Sequence, residues 1–229
     1  MHGGSILEVR LAYGRVAEGT AHYDERYFEW QRPIGEFAGW ADLTKFQPHV
    51  RPSDTVIDFG CGGGYLLDRL TAANKLGIEP NPSARADAAG KGIAVVGSSE
   101  EVPDDFADVV ISNHALEHTV DPLGELRRLR AKLKEGGLAI FVVPCEGVSR
   151  RWQPDDVNRH LFSWSPMCLG NLFDEAGFAV ESAEPLVYRW TPVSNWMVRL
   201  GGRRLFDLTC RIYGFFARSL SQVKVVARR

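Results

Sequence analysis

The sequence predicts an α/β fold, a doubly wound and mostly parallel sheet of seven strands with helices on its faces. Three observations predict it. Short apolar bursts alternate with helical patterns from Thr55 to Ala227. The first burst runs into a glycine-rich turn, VIDFGCGGGYLL, at residues 56–67. Two pairs, Asp121-Pro122 and Ser165-Pro166, set a capping side chain before a proline suited to the first helical position.

Taken in order, Thr55 to Asp58 reads as a short buried strand and Tyr65 to Ala73 as the helix after the glycine turn. Leu76 to Glu79 is the next strand, Pro82 to Ala89 a helix and Ile93 to Val96 a strand. Asp108 to Ser112 follows as a strand, then the helix opened by Asp121-Pro122 and closed by Gly136-Gly137. Leu138 to Val143 is a strand, the helix from Ser165-Pro166 ends at Gly177, and Phe178 to Glu181 and Val223 to Ala227 complete the sheet. The expected organisation is one domain over 1–229, with a helical cover at 1–50, a ligand-binding core at 51–190, a helical insertion at 191–222 and the last strand at 223–229.

With 229 residues, 45% hydrophobic and 24% charged, the chain can bury one sizeable core. A formal charge of -2 argues against nucleic acid as the main partner, because phosphate binding needs a concentrated basic surface. Cys61, Cys145, Cys168 and Cys210 lie far apart, without the short paired spacing of a zinc site or a redox dithiol, and no metal site is expected. Dispersed thiols and the lack of a signal-like start or a long uncharged apolar run point to a cytoplasmic protein.

Ligands of such a sheet bind beyond the carboxyl ends of its strands. There stand Asp58 to Gly64, Glu79-Pro80, Gly97 to Glu101, Asn113-His114 and Pro144. A glycine turn before a helix ordinarily receives a phosphate. Here Asp58 would repel one and attract a cationic ligand instead. Glu79, about twenty residues on, suits the hydroxyls of a ribose, so the ligand is an adenosine compound. Tyr65 occupies the place where the dinucleotide fingerprint needs a third small residue, which weakens a nicotinamide dinucleotide reading.

From VIDFGCGGGYLL through LGIEP and GSSEEVPDDFADVVISNHALEHTVDP to LRRLRAKLKEGGLAIFVVP, roughly residues 55–144, the chain resembles the class I S-adenosylmethionine-dependent methyltransferases that modify small molecules. The resemblance implies the Rossmann-like methyltransferase fold, S-adenosylmethionine as cofactor and S-adenosylhomocysteine as product. It implies that Asp58, Gly60 and Gly62 surround the methionine part, with backbone contacts from Cys61 and Gly64, and that Glu79 holds the ribose. Pro80 and Asn81 would flank the adenine. Many relatives carry an aspartate where Ser98 stands, so Ser98, Ser99 or a backbone carbonyl must meet the adenine amino group. Asn113 and His114 would line the pocket near the transferable methyl. The implied acceptor is a small or carrier-bound molecule, methylated at oxygen or nitrogen. A non-catalytic cofactor-binding domain and, further off, a nicotinamide-dependent oxidoreductase are the rivals.

Two histidines are candidate general bases, His118 in LEHTVDP and His160 in NRHLFSWSP. His118 suits a loop-organising role, whereas His160 stands in a polar and aromatic loop of the kind that shapes an acceptor pocket. In the cover, Tyr23, Tyr27 and Gln31 are placed to touch the cofactor carboxylate or the acceptor. Within the insertion, Leu205, Leu208, Ile212 and Phe216 share one helical face, and Arg204, Arg211 and Arg218 another. This basic amphipathic helix, 203–219, is expected to pack on its own domain rather than on a membrane surface; a homodimer is open to it.

Overall fold

The computed structural model of the protein describes residues 25–147, 149, 151–191, 194–216 and 220–229. A seven-stranded sheet is formed by β1 (Thr55–Phe59), β2 (Asn74–Ile78), β3 (Ala94–Val96), β4 (Ala107–Asn113), β5 (Leu133–Glu146), β6 (Ala179–Leu186) and β7 (Leu220–Arg228). Its order is β3-β2-β1-β4-β5-β7-β6. Strands β1 to β5 pair in parallel, and β7 runs antiparallel between β5 and β6. From β1 the chain winds outward one way to β2 and β3, then returns to the other side for β4. Their carboxyl ends therefore splay apart and leave a crevice at the β1/β4 junction.

The helices are α1 (Glu25–Ala41), α2 (Leu43–Phe46), α3 (Tyr65–Arg69), α4 (Pro82–Gly90), α5 (Pro122–Lys132), α6 (Pro166–Glu175) and α7 (Ser194–Phe216). Leu126, Leu129, Leu169 and Phe173 of α5 and α6 cover one face of the sheet. Phe46, Leu66 and Leu67 cover the other, just beside the glycine turn. Every residue of β1 is buried, as expected of a central strand covered on both faces. Both proline-opened helices are capped as anticipated: Asp121 accepts from Gly124 N–H and Ser165 from Cys168 N–H.

Some boundaries differ. Helix α3 ends at Arg69 rather than Ala73, because the N–H groups of Ala73 and Asn74 are donated to Asp54 O and draw the chain early into β2. Helix α5 stops at Lys132, four residues before the glycines expected to close it. Leu133 already pairs with Ala107, which places Gly136-Gly137 inside β5.

The insertion helix departs most. It kinks at Gly201-Gly202, and its buried side carries Phe206 and Cys210 rather than the expected row of Leu205, Leu208, Ile212 and Phe216. An aromatic nest decides this: Phe206 enters between Phe37, Trp40 and Tyr188. The Arg203 guanidinium lies 4.1 Å over the Trp40 ring. Leu208, Ile212 and Phe216 consequently stay exposed, and Arg218 lies outside the described residues. The insertion does pack on its own domain, against the back of α1.

Helix α1 closes over the glycine turn at unusually short range. A Cβ on Gly39 would clash with the Tyr65 carbonyl, and one on Gly35 would come within 2.9 Å of the Tyr65 ring. These two glycines let the cover reach the carboxyl ends of the strands. Tyr23, expected in the same cover, lies outside the described residues. Among the described residues no helix is long and apolar enough to cross a membrane.

Candidate functional site

The glycine turn spends four of its backbone donors, those of Gly60, Cys61, Gly62 and Gly64, internally. The N–H groups of Gly60 and Cys61 go to Ile78 O at the end of β2, and Gly64 N–H goes to Cys61 O. Gly62 N–H is donated to Glu79 Oε2 at 2.9 Å. With these donors committed, the turn is no phosphate cradle, in keeping with the carboxylate in front of it. Gly60 holds φ +76° in the left-handed region, and a Cβ there would clash with Ala115, so only glycine serves.

Asp58 is 3% exposed and makes no hydrogen bond or ion pair with any described residue. Burial, and then the nearby charge of Glu79, push its pKa up to about 7. It lines a cavity of about 70 Å³ between α1 and the turn, together with Asp42 and Asn113. Asp42 pairs with Lys45 at 3.0 Å and accepts from Asn113 Nδ2 through Oδ2, while its Oδ1 has no hydrogen-bond partner. A small space walled by two buried carboxylates, one of them unpaired, is built for a cation of modest size.

Gln31, Gly60 and Gly62 line this space and also a second cavity of about 600 Å³, so the two adjoin at one cleft. Glu79 sits at the wall of the larger part. Its Oε1 accepts from Asn81 N–H and its Oε2 from Gly62 N–H, both at 2.9 Å. Burial raises its pKa, and these two bonds work against that rise. Each oxygen keeps a lone pair for a ligand hydroxyl. Ser98 and Ser99 face the same space. The turn that carries them is held by Glu101 Oε1, which accepts from the N–H groups of Gly97 and Ser98.

Across the cleft, β4 ends in Asn113 and a short helical turn, Leu116–His118. His114 adopts φ +58°, uncommon for a residue with a side chain, and lies with its Nδ1 3.3 Å from Glu117 Oε1. Glu117 is fully buried, yet neither oxygen makes a hydrogen bond. Burial alone would raise its pKa; contact with His114 and the charge of His118 hold it below the ordinary value. Nε2 of His118 and Nε2 of His160 each lie 4.0 Å from Glu117 Oε1. The loop bearing His160 is tied down by Leu161 N–H and Phe162 N–H, both donated to Glu117 O.

Most residues expected at a cofactor site thus gather around one cleft: Asp58, Gly60, Cys61 and Gly62 at the small end, and Glu79, Pro80, Ser98, Ser99 and His114 around the large one. Gly64 borders neither part and instead starts α3, packed on Ala88 and Ile93. Asn113 turns to Asp42 and the small cavity. The two candidate bases exchange expected places: His118 lines the large cavity, whereas His160 does not and binds Glu146 behind it. Burial drives the Cys61 thiol far above its ordinary pKa, which leaves it no nucleophilic role. Tyr27 and Gln31 of α1 reach the cleft as expected. Sequence reasoning missed Asp42 and Glu117. Asp42 is a lone acid among apolar residues in GWADL, and Glu117 is a lone acid between Leu116 and His118 in HALEH, the one signal that marked them.

A family model described as a methyltransferase domain matches residues 24–183. The chain is 34% identical to the tRNA U34 carboxymethyltransferase of Shewanella loihica over 108 residues, a stretch that covers 41% of this chain and 33% of that protein. The chain therefore spans about a third of the length of the curated relatives that it first matches. Among solved structures, a chain of the complex between the Haloferax volcanii Trm112 methyltransferase activator and a methyltransferase superposes with a TM-score of 0.64 at 19% identity, covering 94% of this chain and 99% of that one. Phosphoethanolamine N-methyltransferase 2 of Haemonchus contortus, solved with phosphomonomethylethanolamine and S-adenosylhomocysteine, gives a TM-score of 0.63 at 13% identity, over 95% of this chain and 61% of that one. At such identities the likeness is one of fold. With the strand order and the match across most of its length, the chain belongs to the methyltransferase domain family and has the fold of its class I, S-adenosylmethionine-dependent members.

Proposed function

We propose that the protein binds S-adenosylmethionine in this cleft and transfers its methyl group to an oxygen or nitrogen of a small or carrier-bound acceptor. The observation that carries the reading is the buried, unpartnered Asp58 facing a small cavity that adjoins a larger one walled by Glu79. The cationic amino-acid end of the cofactor suits the first part. Its ribose suits Glu79, and its adenine the wall formed by Pro80, Ser98 and Ser99.

The transferred methyl is already activated by the sulfonium, so the protein has mainly to hold donor and acceptor in line and to keep water out. A cavity of about 600 Å³ is in the range of small-molecule sites and has room for an acceptor between the cofactor position and His114 and His118. That room favours an enzyme over a domain that only binds the cofactor. A nicotinamide dinucleotide is disfavoured because the turn offers its pyrophosphate a carboxylate and spent N–H donors.

The expectation that nucleic acid is no partner rested on a net charge of -2, and a relative named for tRNA stands against it. The test therefore has two arms. Purified protein is first titrated with S-adenosylmethionine by calorimetry, then incubated with labelled cofactor and either metabolite extract or total tRNA, and the methylated product is identified by mass. Binding, followed by label in a small product, supports the reading. Label confined to tRNA overturns the acceptor class, and no binding overturns the whole.

A further inference from the structure

We propose that Glu117, His118 and His160 form a binding site for a divalent first-row transition metal ion at the acceptor side of the cleft. One donor atom from each of the three lies within 4.8 Å of the others, and both histidine Nε2 atoms lie 4.0 Å from the same oxygen, Glu117 Oε1. Around an ion bound at about 2.1 Å, neighbouring ligands stand about 3.4 Å apart, so side-chain shifts of about an ångström close the set.

Two independent features point to an ion rather than to packing. The first is Glu117 itself, 0% exposed, with neither carboxylate oxygen in a hydrogen bond. His114 Nδ1 stands 3.3 Å from Oε1 without a well-directed hydrogen bond and leaves Oε2 unmet, and a fully buried carboxylate is costly unless something cationic meets it. The second is the support of His160. Its Nδ1 lies 3.1 Å from Glu146 Oε1, an arrangement in which Nδ1–H donates and the lone pair of Nε2 is left facing Glu117. A carboxylate behind a histidine, fixing its tautomer and orientation, is the usual outer support of a metal ligand. The backbone repeats the coupling, because Leu161 N–H and Phe162 N–H bind Glu117 O and so lock the His160 loop to the Glu117 turn.

Two imidazoles and one carboxylate select Zn²⁺, Mn²⁺, Fe²⁺ or Co²⁺ over Mg²⁺ and Ca²⁺, which favour all-oxygen sets. Three protein ligands leave a coordination position open, and His118 carries the cluster to the wall of the large cavity. A ligand there is an acceptor oxygen. Resting on the methyltransferase reading, the consequence is that a metal-bound hydroxyl gives its proton to solvent and its oxygen forms a bond to the methyl carbon. The carbon–sulfur bond breaks with its electron pair left on sulfur. The acceptor class is then a hydroxylated compound.

The test needs no acceptor. Chelator-treated protein is titrated with Co²⁺, read by visible absorption, and dialysed against Zn²⁺ or Mn²⁺ for metal analysis. About one ion per chain is expected, with the ligand-field bands of mixed nitrogen and oxygen coordination. His160→Ala and Glu117→Gln should each weaken Co²⁺ binding at least tenfold, and Glu146→Gln, which removes the outer support, by about 10–100-fold. His49→Ala, a histidine set against Lys224 instead, should not change it. Melting curves and S-adenosylmethionine calorimetry on the same samples show that each variant is folded, and His160→Asn replaces any that is not. No stoichiometric ion, or equal Co²⁺ binding by wild type and both ligand variants, overturns the site and leaves a cluster in which protonated histidines neutralise Glu117. Cofactor binding that survives this result leaves the methyltransferase reading standing; loss of cofactor binding with the ion retained overturns that reading alone.

Discussion

Glu79, at the end of β2, accepts the backbone N–H of Gly62 at 2.9 Å, and so one carboxylate both shapes the glycine turn and faces the cleft beside it. Its other oxygen holds Asn81 N–H, the residue that caps α4. In Glu79→Gln a single amide oxygen must serve two backbone donors, and the amide nitrogen turns a donor toward one of them. Cofactor affinity should fall by about 1–3 kcal/mol, as when a charge-assisted hydrogen bond becomes neutral or mismatched. Calorimetric titration measures it, and an unchanged affinity in a folded variant would put the ribose elsewhere.

Asp58 carries a pH signature of opposite sign for binding and for stability. Its carboxyl titrates near pH 7, so affinity for a cationic cofactor should rise between pH 6 and pH 8 as the charged form fills. Stability of the ligand-free protein should move the other way. The folded state holds this proton more tightly than the unfolded chain does. Stability is therefore full below the ordinary carboxylate pKa and is lost as pH rises toward 7. Asp58→Asn should be more stable than wild type at pH 8, by up to about 4 kcal/mol, and bind S-adenosylmethionine weakly at every pH. A wild-type affinity that is flat from pH 6 to 8 counts against Asp58 as the cation's partner.

Gly39→Ala tests how the cover closes the site. The added methyl would strike the Tyr65 carbonyl, so α1 must lift from α3 and widen the small cavity, which Gly39 also lines. Overpacking of this kind costs about 1–3 kcal/mol. Denaturant unfolding should record that loss, and cofactor affinity should drop with it. A variant of wild-type stability and affinity would show that the contact relaxes without consequence.

For His118, on the wall of the large cavity, replacement by alanine should leave S-adenosylmethionine binding nearly intact while slowing methyl transfer by about 10²–10⁴-fold, the range of a lost acid–base or activating group. Single-turnover assays with the identified acceptor separate the two effects. Full activity would return His118 to bracing its loop.

Much of this molecule follows from local rules that act along the chain. The strands, the capped helices and the glycine turn were legible because burial on both faces of a central strand enforces apolar runs, and because caps and prolines act within four residues of themselves. The placing of Asp58 and Glu79 at strand ends followed as well, since parallel winding brings all such ends to one edge. What periodicity could not decide was which side of a helix meets a neighbour. Helix α7 has an apolar row and a mixed row, and the aromatic nest of Phe37, Trp40 and Tyr188 selected the row with Phe206 and Cys210. Nor could spacing along the chain reveal that Glu117, His118, Glu146 and His160, spread over more than forty residues, meet in one cluster. That meeting depends on the end of β5 lying beside the end of β4 and on two backbone hydrogen bonds folding the His160 loop onto the Glu117 turn, contacts that only tertiary packing creates.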